Sequence, residues 1–123
     1  MFAKHLRILL ADDDALIQIV HQNLLKQLCD CDIELANDGA EAVRKVSEGF
    51  DILFIDIHMP ILNGIEATIQ IRSNVDFNKL PIIGVTADRN PAIRERCIEG
   101  GMNEVLFKPV TEVMFKEVLE KYL

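Results

Sequence analysis

Acidic, hydroxyl and ammonium side chains follow four of the five apolar runs in this sequence. They are Asp12 and Asp13 after the first run, Asp56 after the third, Thr86 after the fourth and Lys108 after the fifth. Carboxylates that meet at one place repel one another, so the site must protonate one of them or hold a cation such as Mg²⁺. With one carboxylate as nucleophile, and a lysine and a threonine to bind phosphoryl oxygens, the set predicts phosphoryl transfer onto an aspartate.

The apolar runs have the patterns of β-strands. Residues 6–11, 52–55 and 81–85 are almost continuously apolar, which is typical of parallel strands buried on both faces. Residues 32–36 alternate between polar and apolar types, so this strand should have one wet face and lie at a sheet edge. A shorter run at 105–107 completes a set of five predicted strands.

A helix with its own start signal is predicted after each strand. The expected N-caps are Asp14, Asp38, Asn63, Asn90 and Thr111, and the fourth helix should span residues 91–99. Apolar residues at helical spacing indicate which side of each helix should face the core. From the first helix to the fifth, these sides carry Leu16, Ile17, Val20, Leu24 and Leu28; Ala42, Val43 and Val46; Ile65 and Ile69 with Arg72; Ile93, Cys97 and Ile98; and Phe115, Val118, Leu119 and Tyr122.

Five strands alternating with five helices predict an α/β fold, a doubly wound five-stranded parallel sheet with helices on both faces. Because the second strand belongs at an edge, the flavodoxin-like strand order 2-1-3-4-5 is favoured. A length of 123 residues fits a single domain over residues 1–123, and we expect no output domain in this chain. The carboxyl ends of parallel strands share one edge of the sheet, so the polar side chains that follow them should converge.

Composition narrows the class of protein further. The net charge of −7 argues against direct binding of nucleic acid, which needs a basic face. Cys29, Cys31 and Cys97 are an odd number without the spacing of a zinc site, so we expect reduced thiols. The apolar run near the start is too short for a signal peptide, and no run approaches a membrane span. These features predict a cytoplasmic protein away from membranes. We also expect a monomer or weak dimer.

Five short motifs occur in a fixed order at the predicted strand ends. They are Asp12-Asp13 after the first strand, Asp56-Ile57-His58-Met59-Pro60 at the third, Asn63-Gly64 after it, Thr86-Ala87 after the fourth and Lys108-Pro109 after the fifth. Each motif alone is weak, but the ordered set covers the whole chain and is specific. The chain resembles the response-regulator receiver domains of two-component signalling, and its C-terminal part is similar to receivers attached to hybrid histidine kinases.

The resemblance implies a role for each residue at a matching position. Asp56 would be the phosphoacceptor. Asp13 and Asp56 would bind Mg²⁺ directly, together with the backbone carbonyl of His58, while Asp12 would act through water. The phosphoryl group would come from a phosphohistidine on a sensor histidine kinase or a histidine phosphotransfer protein.

The remaining motif residues would bind the phosphoryl group once it has been transferred. The resemblance implies that the Thr86 hydroxyl and the Ala87 amide hold phosphoryl oxygens. Lys108 would pair with another oxygen, placed by a cis peptide bond before Pro109. The chain's only enzymology would then be its own phosphorylation and dephosphorylation, and partners would sense the change on the surface of the fourth helix, fifth strand and fifth helix.

Several positions call for an interpretation of their own. Asp14 is expected to cap a helix rather than act as a third metal ligand. The ring of His58 should be an exposed loop side chain that, with Asp88, flanks the path of attacking water. Receivers usually carry a Tyr or Phe where this chain has Val105, so the aromatic half of the usual threonine–aromatic switch is missing at this position. Phe107 has the same strand parity and could compensate in part for the missing aromatic ring, although its simplest role is to fill space under the last helix.

Three other readings compete with a stand-alone switch. The chain could be a receiver excised from a hybrid histidine kinase. An FMN-binding flavodoxin-like protein would suit the sheet order, but its first loop would need glycine and hydroxyl residues where three aspartates stand. A phosphatase of the haloacid dehalogenase type also uses an aspartate nucleophile, Mg²⁺ and a lysine. That class needs a second aspartate two residues after the nucleophile, and here His58 stands at that position after Asp56.

Overall fold

A computed structural model describes residues 4–123, in which strands and helices alternate along the chain. The elements are β1 (Leu6–Ala11), α1 (Ala15–Leu28), β2 (Cys31–Ala36), α2 (Gly39–Lys45), β3 (Ile52–Asp56), α3 (Gly64–Arg72), β4 (Ile82–Thr86), α4 (Ile93–Glu99), β5 (Glu104–Phe107) and α5 (Glu112–Tyr122). Single 3₁₀ turns, Val46–Glu48 and Val75–Phe77, follow α2 and α3. Within the described residues, every helix is too short or too polar to cross a bilayer.

The strands form one parallel sheet in the order β2-β1-β3-β4-β5, which confirms the predicted fold and strand order. The central strand β3 is buried along its whole length, as its continuous apolar sequence predicts. The edge strand β2 is partly exposed and follows an alternating burial pattern, so the prediction of one wet face is confirmed.

The sheet separates two layers of core, because successive side chains of a strand point to opposite faces. On β3, Leu53 and Ile55 pack into the layer covered by α2, α3 and α4. Ile52 and Phe54 pack into the layer covered by α1 and α5. The Phe54 ring meets the ring of Phe115 on α5 edge to face, with centroids 5.0 Å apart. Both layers end at the edge of the sheet where the strands' carboxyl ends lie.

Side chains cap four of the helices as predicted. Asp14 accepts from the backbone N–H groups of Leu16 and Ile17, Asp38 from Glu41 and Thr111 from Met114, while Asn63 forms a full capping box with Glu66. The prediction for α4 was wrong at its start. The Asn90 side chain does accept a backbone N–H, from Ala92 at 3.0 Å, but the helix begins at Ile93, two residues later than expected.

The predicted buried face of α1 was wrong in its first half, although Leu28 is buried and Leu24 packs against the core as predicted. Leu16 is 69% exposed and Val20 is 45% exposed, whereas the buried positions of the helix are Gln18, His21, Leu25 and Leu28. These four residues recur at helical spacing and share one face of the helix. The buried face of α1 therefore differs from the face that its apolar residues indicate. Two polar residues therefore occupy the inner side of α1, and apolar residues lie on its outer side.

Smaller corrections of the same kind apply to α3 and α4. Ile69 is 53% exposed, and α3 instead buries Gly64, Ala67, Thr68 and Ile71. On α4, Ile93 and Cys97 are buried as predicted, but Ile98 is largely exposed. The α5 prediction is confirmed, since Phe115, Val118 and Leu119 are buried and Tyr122 packs against the same layer.

Phe107 does not fill space under α5, so that expectation was wrong as well. It packs against the opposite layer, the one that contains Val105 and α4. In the β4 to β5 pairing, Phe107 lies directly beside Thr86, and Val105 lies beside Gly84. The Arg89 guanidinium stands over the Phe107 ring, 5.2 Å from its centroid. An aromatic side chain is therefore next to the threonine, two residues further along the strand than the usual position.

Candidate functional site

Strand register brings the predicted site residues to one edge of the sheet. Ala11 pairs with Ile55 and Asp56 pairs with Val85, so the residues that follow β1, β3 and β4 emerge side by side. Lys108 follows β5, and its backbone N–H donates to the carbonyl of Thr86 at 2.8 Å. The four strand ends that the sequence predicts to converge do so.

Three carboxylates and one ammonium group form the centre of this site. Asp12, Asp13 and Asp56 each offer an oxygen within 4.8 Å of the others. Lys108 Nζ donates to Asp12 Oδ2 at 3.1 Å and to Asp56 Oδ2 at 3.4 Å. Asp12 and Asp56 are buried and Asp13 is exposed, so the cluster opens to solvent on the Asp13 side.

Burial and neighbouring charges have opposite effects on the pKa values of Asp56 and Lys108. Burial raises the pKa of Asp56 above its ordinary value, and the neighbouring Asp12 carboxylate raises it further, against the pull of Lys108. Burial lowers the pKa of Lys108, but the charges of Asp56 and Asp12 outweigh burial and raise it overall. Lys108 therefore stays an ammonium ion, and Asp56 lies in a place where additional positive charge would be favourable.

Backbone hydrogen bonds fix the loops that carry the carboxylates. The Asp14 N–H donates to Asp12 Oδ1 at 2.9 Å, and the His58 N–H donates to Asp56 Oδ1 at 3.3 Å. Gly64 packs so closely on the Asp56 carbonyl that a side chain there would collide with the backbone. The glycine of the predicted Asn63-Gly64 motif thus allows α3 to start against the end of β3.

The loop after β4 places the other predicted residues around the mouth of the site. Thr86 is buried, and its hydroxyl oxygen accepts the Asp88 N–H at 3.0 Å, while Ala87 is exposed between them. The His58 ring is exposed as predicted, and its Nε2 lies 2.8 Å from Asp88 Oδ2. The two side chains expected to flank the path of attacking water therefore contact each other. The peptide before Pro109 is cis, as the resemblance implied.

Several residues around the site were not predicted from the sequence. Gln18 and His21 reach the inner side of the acidic cluster from α1, and both line a small cavity together with Asp12 and Asp56. Arg89 donates from Nη2 to the Lys108 carbonyl at 3.0 Å. Gln18 and His21 share helical spacing with Leu25 and Leu28, which could have indicated that they are buried. A search for apolar residues at that spacing misses them because both are polar.

The donor set fits a small, hard cation. Its oxygens are all carboxylate oxygens, they are close enough to share one ion, and two of the three carboxylates are buried. Mg²⁺ is bound in proteins by one or two carboxylates with further oxygen ligands and water, and the exposed side at Asp13 leaves room for these. The residues present are therefore suited to Mg²⁺.

Comparison with known proteins supports the same assignment. The model of the response regulator receiver domain family matches residues 8–120. The chemotaxis protein CheY-3 of Vibrio cholerae is 34% identical, over 96% of this chain and 92% of that protein. Four longer relatives, including histidine kinases, are 32 to 37% identical, and the chain spans only 7 to 16% of their length.

Solved structures agree with the sequence relatives. The receiver domain of a sensor histidine kinase from Pseudomonas aeruginosa, which has a magnesium ion coordinated in its active-site cleft, superposes with a TM-score of 0.88 at 32% identity and covers 97% of this chain and 98% of that one. The receiver domain of Ssk1 from Saccharomyces cerevisiae, crystallised with the histidine phosphotransfer protein Ypd1, gives a TM-score of 0.88 at 25% identity, over 99% of this chain and 91% of that one.

The order of the motifs, the convergence of their side chains and the match over nearly the whole chain agree with one another. The chain belongs to the response regulator receiver domain family of two-component phosphorelays.

Proposed function

We propose that this chain is a phosphoaccepting switch in which Asp56 takes a phosphoryl group from a phosphohistidine on a partner protein. The observation that carries the proposal is the contact of Lys108 Nζ with both Asp12 and Asp56 at the mouth of the sheet. It places a fixed positive charge beside a buried carboxylate whose pKa is raised by burial and by Asp12. A nucleophile and a group that neutralises phosphoryl charge are thus held side by side.

In the proposed transfer, a carboxylate oxygen of Asp56 attacks phosphorus in line with the leaving nitrogen. A P–O bond forms as the P–N bond of the phosphohistidine breaks, and the electron pair of that bond remains on the imidazole nitrogen. Lys108 binds a phosphoryl oxygen and leaves its contact with Asp56 Oδ2, while Thr86 donates its hydroxyl to another oxygen. Catalysis of this kind depends chiefly on positioning and on neutralising charge.

Asp12, Asp13 and Asp56, with the backbone carbonyl of His58, are the residues that would hold Mg²⁺. When bound, the ion would supply positive charge that offsets the repulsion between the carboxylates and the phosphoryl oxygens. In this proposal Asp12 contacts the ion through water, while its Oδ1 and Oδ2 accept hydrogen bonds from the Asp14 N–H and from Lys108.

A sensor histidine kinase or a histidine phosphotransfer protein is the proposed donor, as for the Ssk1 receiver that was crystallised with Ypd1. The outer side of α1, where Leu16, Ile19 and Val20 are exposed, begins directly after the acidic cluster and offers an apolar surface beside the site. Because the chain spans so little of its kinase relatives, a receiver within a hybrid kinase is the alternative setting for the same chemistry.

We further propose that phosphorylation changes partner binding through the surface of α4, β5 and α5. The pairing of Thr86 with Phe107 and the stacking of Arg89 on Phe107 connect the site to that surface.

The contact of His58 with Asp88 controls the approach of water and so the lifetime of the phosphorylated form. Substituting either residue should change the rate of autodephosphorylation without changing Mg²⁺ affinity.

Incubation with acetyl phosphate and Mg²⁺, followed by intact mass, tests the chemistry. The wild type should gain one phosphoryl group and lose it again by its own hydrolysis, without turnover of a phosphomonoester substrate. Asp56→Asn should gain none. The control, Asp76→Asn, changes an exposed aspartate of the Val75–Phe77 turn and should behave as the wild type. Unchanged phosphorylation of Asp56→Asn would rule out the assigned acceptor.

A further inference from the structure

Gln18 occupies a position on α1 where an apolar residue would be expected. It lies on the inner side of the helix, 5% exposed, in line with Leu25 and Leu28. A primary amide in such a place loses its contacts with water, and it is tolerated only where other groups satisfy its hydrogen bonds. The hydrogen bonds of Gln18 therefore show what it is buried for.

Within the part of the chain that the structure describes, the side-chain hydrogen bonds of Gln18 all reach the ends of β1 and β2. Its Nε2 donates to the carbonyl of Asp12 at 2.6 Å, to the carbonyl of Ala36 at 3.1 Å and to Asn37 Oδ1 at 3.3 Å. The Asp12 N–H donates to the same Ala36 carbonyl at 3.0 Å. The backbone of Asp12 is thus held at both its N–H and its carbonyl, just past the last pair of the strand ladder.

This anchor lies at the point where the acidic segment leaves the sheet. In this segment Asp12 is the buried carboxylate, Asp13 is the exposed carboxylate and Asp14 caps the N-terminus of α1. Asp12 and Asp56 offer carboxylate oxygens within 4.8 Å of each other, so their negative charges repel. The repulsion pushes the β1 end away from β3, and a backbone fixed from α1 resists that displacement.

We propose that Gln18 is a positioning residue, which holds the Asp12-Asp13 segment in the geometry that binds Mg²⁺ and accepts the phosphoryl group. The inference depends on the proposed function and adds a residue that touches neither the cation nor the phosphoryl group. Groups that orient metal ligands in this way typically change metal affinity by about 10-fold to 100-fold when they are removed.

The test compares two identical substitutions on one helix. Gln18→Met keeps the length and volume of the side chain but removes the donor, and Gln27→Met makes the same change at an exposed position of α1. Mg²⁺ affinity is measured by calorimetry on the unphosphorylated proteins, and unfolding by urea is measured separately. We expect Gln18→Met to weaken Mg²⁺ binding about 10-fold or more, with Gln27→Met unchanged.

Two further measurements separate positioning from a general loss of structure. Gln18→Asn keeps a neutral amide donor on a side chain one methylene shorter and should recover part of the Mg²⁺ affinity that Gln18→Met loses, which a purely steric effect would not. In the wild type, the side-chain amide signals of Gln18 should be protected from solvent exchange and should shift on addition of Mg²⁺, while those of Gln27 should not. This last measurement needs no variant to fold.

The outcomes distinguish this inference from the proposed function. If the wild type binds Mg²⁺ and is phosphorylated by acetyl phosphate, while Gln18→Met binds Mg²⁺ within about twofold of it, the positioning role is wrong and the switch function stands. Gln18 amide signals that do not respond to Mg²⁺ would overturn the inference in the same way. A wild type that is not phosphorylated at all would overturn the proposed function itself.

Discussion

Helices α1 and α5 lie side by side on the same face of the sheet, and they relate to their sequences in opposite ways. On α5 the apolar residues Phe115, Val118 and Leu119 are buried, as their spacing predicts. On α1 the apolar residues Leu16 and Val20 are exposed, and the buried positions include Gln18 and His21. The buried face of α5 is apolar, whereas α1 buries two polar residues beside Leu25 and Leu28 and exposes apolar residues on its other side.

The difference follows from what each helix meets. The inner side of α5 faces the rings and aliphatic side chains of the core, including Phe54. The first half of α1 starts at the acidic segment and faces the ends of β1 and β2, where backbone carbonyls and a carboxylate need partners. A polar buried face on an otherwise apolar helix therefore marks the part of the chain that is built for the site.

The largest effect should come from α5. Phe115→Ala removes a fully buried ring that contacts the rings of Phe54 and His21, and it should lower the free energy of unfolding by about 3–5 kcal/mol. Urea unfolding of both proteins measures this. Val113→Ala, at an exposed position on the same helix, should change stability by no more than about 0.5 kcal/mol. Equal losses in the two variants would contradict the burial assigned to α5.

On α1 the same type of test should leave stability intact and affect the relay. Replacing Leu16 and Val20 with serine should change the free energy of unfolding by only about 0.5 kcal/mol per site, because both are exposed. Transfer from a phosphorylated histidine phosphotransfer protein should slow about tenfold, since apolar contact with the donor is lost. Transfer from acetyl phosphate should be unchanged and is the control. Unchanged transfer from the phosphotransfer protein would contradict a contact of the partner with the α1 surface.

The smallest effect concerns the charge state of His21. Burial lowers its pKa below the ordinary 6.5, with Asp12 opposing and Lys108 assisting. As pH falls through 6.5, the unfolded chain takes up a proton that the folded chain refuses, so stability declines by no more than about 1.4 kcal/mol per pH unit. His21→Gln should remove this decline, seen as a shallower dependence of urea unfolding on pH between about 7 and 5.

His5 provides a control of opposite sign. Hydrogen bonds that the His5 ring donates to Asp30 and Asp32 raise its pKa, so its contribution to stability is present below 6.5 and is lost as pH rises through the folded value. His5→Gln should therefore lose stability towards acid pH, where His21→Gln gains it relative to the wild type. The same pH dependence in both variants would contradict the burial assigned to the inner side of α1.

The fold could be predicted from sequence because its signals are local and consistent. Continuous apolar runs gave the buried strands, the alternating run gave the edge strand β2, and short polar residues gave four of the helix caps. The site could be predicted in outline because parallel strands bring their carboxyl ends together. Asp12, Asp56 and Lys108 meet as expected for that reason.

The parts that sequence could not predict depend on neighbours in space. The hydrogen bonds of Gln18 go to backbone carbonyls at 12 and 36, which no side-chain pattern shows. The buried side of α3 is lined by Gly64, Ala67 and Thr68, small residues that allow close packing but carry little apolar signal. Phe107 was assigned to the wrong layer although it shares strand parity with Val105, and the structure packs both residues into the layer covered by α4.

The measurement that tests the central claim most directly locates the phosphoryl group. The protein is phosphorylated with acetyl phosphate and Mg²⁺, reduced with borohydride so that an acyl phosphate becomes an alcohol, and digested for peptide mass analysis. The account predicts that Asp56 alone is converted to homoserine, and only when Mg²⁺ is present. Reduction at Asp12 or Asp13, or a phosphoryl group found on a histidine, would contradict it.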